Sequence, residues 1–117
     1  MGYSKDGIGV YPRGWQEVFQ AAVNVLPTVK KMTLKNVDPA SGRIIISSGI
    51  SLASWGEEIL VQVWEPAPGQ AAVRVSSQVK AQLVDWGKNR KNVAAVFDAL
   101  SRALGVEPQA PGEQTQG

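Results

Sequence analysis

A run of charged and aromatic residues is the part of the sequence best suited to binding chemistry. It reads Asp-Trp-Gly-Lys-Asn-Arg-Lys-Asn and opens a segment with helical periodicity. Cations at a helix amino terminus oppose the helix macrodipole by about 0.3 to 1 kcal/mol each, whereas the free N–H groups there attract anions. We therefore predict an anion or partner site in this run, formed by Asp85, Trp86, Lys88, Asn89, Arg90 and Lys91. The alternative is structural: an aspartate cap, a tryptophan packed on the sheet and a solvated cationic face.

Two further side chains are candidate contacts for a ligand or a protein partner. Trp55 lies between Ser54 and Gly56 in a short connection, where a large aromatic residue is unexpected. It either offers a stacking or partner-binding surface or folds back over the edge of the core. Arg74 lies in a segment that alternates apolar and polar residues, so it supplies a cation on the polar face of a strand.

The chain contains no Cys and no His, which excludes several kinds of site. A Ser-His-Asp or Cys-His enzyme, a disulfide and a Cys- or His-ligated metal all need one of these residues. Glu57 and Glu58 are adjacent carboxylates, but neighbouring strand residues point to opposite faces and cannot share a metal or a scissile bond. Gly7-Ile8-Gly9 follows no predicted strand and so does not predict a phosphate loop. We predict no metal, no cofactor and no assigned catalytic residue.

The spacing of apolar residues predicts the elements that position these side chains. A stripe with helical spacing runs from Trp15 to Leu26 and is stopped by Pro27. A second helical stripe follows Asp85 and ends at Leu104, just before a glycine. Four segments between the helices alternate with period two and predict strands. They are the segment from Thr28 to the turn at Asp38, Arg43 to Ser48, Glu58 to Glu65, and Gln70 to Lys80.

The element order α-β-β-β-β-α predicts an α+β fold, a four-stranded antiparallel sheet with two helices packed on one face. The side chains expected to face the helices are Ile46, Val61, Val63, Val73 and Val75. A length of 117 residues predicts a single domain, which we place at residues 15–105. Residues 1–14 are expected to be a flexible lead-in or one short pairing segment. Residues 106–117, rich in proline, glycine and glutamine, are expected to be a disordered tail.

Three segments in this order resemble a family of uncharacterised bacterial domains. They are Trp55 to Val63, Val73 to Ser77 and Asp85 to Asn92. In that family an acidic strand start is followed by a Val-x-Val/Ile-Arg-Ser-like strand and an Asp-Leu-Gly-x-Asn-Arg-type helix start. This sequence has Trp86 at the aliphatic position and Ser76-Ser77 at the Arg-Ser position. The resemblance implies a compact α+β domain of unassigned function and no catalytic residue.

The leading hypothesis is a small non-catalytic binding or accessory domain that recognises an anionic ligand or a protein partner, with an edge strand available for a homodimer. The alternative is a His-free and Cys-free lyase or hydrolase, with Asp85 or Glu57 as base and Arg74 or Arg90 stabilising an anion. A net charge of +2 gives nucleic-acid binding little support. We predict no transmembrane segment and, because a secretory signal is not recognisable, a cytoplasmic protein.

Overall fold

The computed structural model of the chain describes residues 2–4, 7–48, 57–78 and 86–111. These residues form one five-stranded antiparallel sheet and two α-helices. The elements are β1 Ile8–Tyr11, α1 Trp15–Val25, β2 Met32–Asp38, β3 Arg43–Ser48, β4 Glu57–Trp64, β5 Ala71–Gln78 and α2 Trp86–Leu104. The predicted α+β class and antiparallel sheet are confirmed, but the prediction of four strands is wrong.

The additional strand is β1, which lies in the segment expected to be either a flexible lead-in or one short pairing segment, and the structure shows the pairing segment. It pairs antiparallel with β5, with Ile8 opposite Arg74 and Tyr11 opposite Ala71. The strand is only four residues long and contains Gly9, so no alternation is long enough to predict it. Its stability comes from a partner far along the chain, which a local pattern cannot reveal.

The strand order is β1-β5-β4-β3-β2, so β1 and β2 form the two edges of the sheet. Strands β2 to β5 follow one another as neighbouring antiparallel strands. Helix α1 connects the two edge strands and therefore crosses the sheet, whereas α2 follows β5. Both helices contribute to the same hydrophobic core as the sheet, as predicted.

Helix α1 forms over the predicted apolar stripe. Val18, Phe19 and Ala22 are buried, and Leu26 begins a short 3-10 helix, Leu26–Thr28, in which Pro27 prevents the α-helix from continuing. Side-chain oxygens do not cap the helix start, where Gly14 is the N-cap residue. The helix therefore depends mainly on burial of its apolar face.

Alternation along the strands separates the core face from the opposite face. The predicted inward-facing residues are all buried: Ile46, Val61, Val63, Val73 and Val75. In β2 the pairing register shifts between Leu34 and Asn36, because an extra residue forms a β-bulge. The bulge lets Val37 as well as Leu34 pack against the core despite their odd separation in sequence.

The turn between β2 and β3 depends on a glycine. Gly42 has a φ of +69°, and its carbonyl accepts a hydrogen bond from the N–H of Val63 at 2.8 Å. A Cβ atom at this position would lie 2.2 Å from the Val63 carbonyl oxygen. Both the left-handed backbone and the close approach to β4 therefore require glycine here.

The segment expected to be a disordered tail lies against β1 at Pro108 and Gln109, and its residues 112–117 are outside the described part of the chain. Gln109 and Val10 form an antiparallel bridge with two backbone hydrogen bonds of 2.8 Å, and Pro108 is buried. Proline and glutamine content suggested disorder, but here the backbone pairs with the free edge of a strand. The folded unit consequently extends beyond both ends of the predicted 15–105 domain.

Candidate functional site

One face of the sheet carries no helix of the described residues and holds side chains of mixed character. We call this surface the open face. Cross-strand pairing places its members in adjacent rows, with Arg43 opposite Gln62 and Gln62 opposite Arg74 in one row. In the next row Ile45 lies opposite Leu60, and Leu60 opposite Ser76. The open face is formed mainly by Arg43, Ile45, Leu60, Gln62, Trp64, Arg74 and Ser76.

The apolar members of the open face remain partly accessible. Ile45 and Leu60 are half-buried, and Trp64 is 39% exposed. Residues on the core face of the same strands, such as Ile46 and Val61, are completely buried. The open face thus offers accessible aliphatic and aromatic area that the domain's own described elements do not cover.

Two arginines flank this apolar area. Arg43 and Arg74 are exposed, and within the described residues neither guanidinium has an ion-pair or hydrogen-bond partner. They stand two strands apart, so roughly 9 to 10 Å separates their backbones. The carboxylate of Glu58, on the same face, is 3.5 Å from the Lys35 ammonium, so this pair adds no net charge. Among the described residues of the open face, the remaining charge is positive.

Side chains of the open face enclose two adjacent shallow grooves that share Leu60. The first has a volume of about 210 Å³ and is lined by Arg43, Ile45 and Glu58 in addition to Leu60. The second has a volume of about 240 Å³, with Gln62, Arg74 and Ser76 as its polar lining. Pockets that enclose a drug-sized ligand usually have about 300 Å³ or more. These grooves are suited to single side chains of a partner.

The residues predicted as a site are only partly located by the structure. Arg74 lies on the open face, as its alternation predicted. Trp55 and Asp85 lie outside the described residues. The other predicted residues belong to the first turns of α2, but their side chains lie outside the described part of the structure: Trp86, Lys88, Asn89, Arg90 and Lys91. The predicted anion site in this run therefore stays a prediction.

Sequence reasoning missed Arg43, Ile45, Leu60 and Trp64 as candidate contacts. In β3 three consecutive isoleucines show no alternation of apolar and polar residues, so the sequence does not indicate which of them points away from the core. A usable signal was present in β4, where Leu60 and Trp64 share a face with Gln62. Apolar residues on the polar face of an alternating strand are typical of a surface that is covered by a partner.

The described residues offer few groups for catalysis. Among them, no three Asp or Glu side chains lie close enough to hold a metal ion. Glu58 and Arg43 line the same groove, but the Glu58 carboxylate is occupied by Lys35. Glu57, Asp85 and Arg90, which the enzyme hypothesis needs, have side chains outside the described part of the structure. The enzyme alternative stays a prediction.

The hydroxyl of Tyr11 has a structural role. The side chain is completely buried, and its oxygen lies 3.0 Å from the Ser101 Oγ and 3.3 Å from the Phe97 carbonyl oxygen to which it donates. Burial raises the pKa of Tyr11 to about 12. The phenol therefore stays protonated at neutral pH and links β1 to α2.

Comparisons with known proteins add no family to these observations. No protein-family model matches the chain, and a search of curated proteins finds no match. The similarity to uncharacterised bacterial domains consequently stays a prediction. Within the described residues, neither helix has both the length and the apolar character needed to cross a bilayer.

Proposed function

We propose that this protein is a binding domain that uses the open face of its sheet to hold an acidic, partly apolar segment of a partner protein. The observation that carries the proposal is the accessible apolar area around Leu60 between Arg43 and Arg74, two cations without an ion-pair partner among the described residues. Arginine and aromatic residues are enriched at protein interfaces, and aliphatic area supplies much of the binding energy there.

Charge defines the partner's chemistry. A carboxylate can take a bidentate hydrogen bond from an arginine guanidinium, and two arginines separated by two strands can engage two carboxylates along an extended segment. Apolar side chains between those carboxylates would fill the grooves beside Leu60. We therefore expect a partner segment with Asp or Glu on both sides of Leu, Ile or Phe.

The two sheet edges give less support to a homodimer through strand pairing. The β1 edge already pairs with Gln109 at Val10. The β2 edge contains the bulge next to Lys35, and bulges and lysines are devices that oppose edge-to-edge pairing. These features favour recognition through the face of the sheet.

Selection from a random peptide library displayed on phage tests this proposal. Selected peptides should combine acidic with aliphatic or aromatic residues and should shift NMR amide signals of β3, β4 and β5. The double variant Arg43→Gln/Arg74→Gln should weaken binding about tenfold, since exposed ion pairs contribute up to about fivefold each.

The matched control is Arg13→Gln/Arg102→Gln, which removes the same charge from the helical side of the domain. It should leave peptide affinity unchanged. The proposal would be overturned by an absence of selected binders, by equal affinity of the two double variants, or by an oligo-dT probe that binds the open face more tightly than any acidic peptide.

A further inference from the structure

A second concave surface lies on the helical side of the domain and is distinct from the open face. We call it the α2 groove; its volume is about 530 Å³. Three parts of the chain build it: residues 2–3, the middle of α2, and residues 107–108. The principal lining residues are Tyr3, Ala94, Ala95, Asp98, Glu107 and Pro108. This volume is within the range of about 300 to 1,000 Å³ that encloses small ligands and side-chain groups.

The walls of the α2 groove are held by close packing. The rings of Tyr3 and Phe97 are stacked, with centroids 4.4 Å apart and an interplanar angle of 11°. A Cβ atom at Gly2 would lie 2.2 Å from the Pro108 carbonyl oxygen. The segment at residues 2–4 and the segment at Pro108 therefore meet in contact, and the groove between them and α2 exists before any ligand binds.

The chemistry of the α2 groove is apolar at its floor and negative at its rim. Two alanines on the accessible side of α2, Ala94 and Ala95, leave room above the helix. Asp98 and Glu107 are exposed carboxylates of the lining, and among the described lining residues none is Lys or Arg. Asp98 is 3.1 Å from the Arg102 guanidinium, which lies outside the groove lining.

We infer that the α2 groove binds a peptide segment in which an arginine or lysine neighbours an apolar side chain. The Glu107 carboxylate attracts the cation, and the half-buried ring of Tyr3 can accept the cation on its face. The Asp98 carboxylate adds to this attraction when the partner's cation replaces the exposed side chain of Arg102. The apolar neighbour covers the accessible side chains of Ala94 and Ala95. The α2 groove thus prefers a positively charged partner and the open face a negatively charged one, so the two proposals can be tested independently.

Titration with two matched probes tests the inference by NMR. N-acetyl-Phe-Arg-amide should shift the backbone amides of Ala94, Ala95 and Asp98, with a shift that weakens as NaCl screens the carboxylates. N-acetyl-Phe-Gln-amide has the same aromatic group without the charge and should bind at least about threefold more weakly. Equal binding of the two probes, or shifts confined to other surfaces, would overturn the inference.

Variants of the rim separate charge recognition from packing. Asp98→Asn/Glu107→Gln should reduce affinity for the arginine probe by about fivefold or more, whereas Glu17→Gln/Glu65→Gln, with the same loss of charge elsewhere, should not change it. Arg102→Gln should strengthen binding, because it releases the Asp98 carboxylate from its own ion pair. Ala94→Phe should block the groove. Unchanged affinity in either the rim variant or Ala94→Phe, with the fold intact by NMR, would refute the assignment.

Discussion

Replacing Gly42 by alanine tests how much the contact between the β2–β3 turn and β4 stabilises the domain. Alanine would have to adopt a left-handed backbone, at about 1 to 2 kcal/mol. Its Cβ atom would also lie 2.2 Å from the Val63 carbonyl oxygen, so the turn must move away from β4. That movement sacrifices the 2.8 Å hydrogen bond from the Val63 N–H, which contributes about 1 kcal/mol. We expect Gly42→Ala to lower the free energy of unfolding by about 2 to 3 kcal/mol.

Gly69 in the β4–β5 turn provides a matched control. Its φ of +77° is similar, but nothing lies within 4 Å of a Cβ atom built there. Gly69→Ala should therefore lose only the backbone contribution of about 1 to 2 kcal/mol. Urea denaturation followed by tryptophan fluorescence gives both values, provided that the m-value is unchanged. Equal losses in the two variants would refute the argument that contact with Val63 is responsible for the difference.

Two further outcomes follow from the contacts around β1. Deletion of residues 106–117 should lower the thermal midpoint by several degrees in calorimetry, because the backbone pairing of Gln109 with Val10 is lost; an unchanged midpoint would mean that this pairing adds nothing to stability. Since the folded-state pKa of Tyr11 is raised to about 12 from an ordinary value near 10, its stabilising contribution is complete below pH 10 and is lost between pH 10 and 12. Tyr11→Phe should remove this loss of stability between pH 10 and 12, measured by urea denaturation at each pH, and should lower the free energy of unfolding at pH 7 by about 1 to 2 kcal/mol. A variant whose stability falls with rising pH in the same way as that of the wild type would contradict this role of the phenol.

The sequence predicted the elements whose apolar spacing is long and regular. The stripe that ends at Pro27 predicted α1, and the alternation of Val61 and Val63 with their polar neighbours identified the core face of β4. Such patterns are informative because a long, regular spacing shows which side of its own helix or strand each residue faces. Four residues of β1, interrupted by Gly9, contain too few alternations for the same reasoning.

Only one residue of the open face, Arg74, was predicted from the sequence, because the site depends on contacts between strands. Arg74 could be placed on the polar face because β5 alternates clearly, whereas Arg43 was taken only as the start of a strand. The two arginines come together through the pairing of β3, β4 and β5, which depends on the order of strands in the sheet. The positions of charged residues in the sequence do not predict the order of the strands in the sheet.

The pairing of β1 with β5 also determines when the domain can be completed during synthesis. Each of β2, β3 and β4 pairs with the next strand along the chain, so this part of the sheet can assemble progressively as the polypeptide emerges from the ribosome. Strand β1 is made before these strands but has no partner in the sheet until β5 has been translated. Its other edge can pair only after Gln109 has been translated. Among the five described strands, the first to be synthesised therefore cannot join the sheet until the last has been made, and its backbone lacks a strand partner until then.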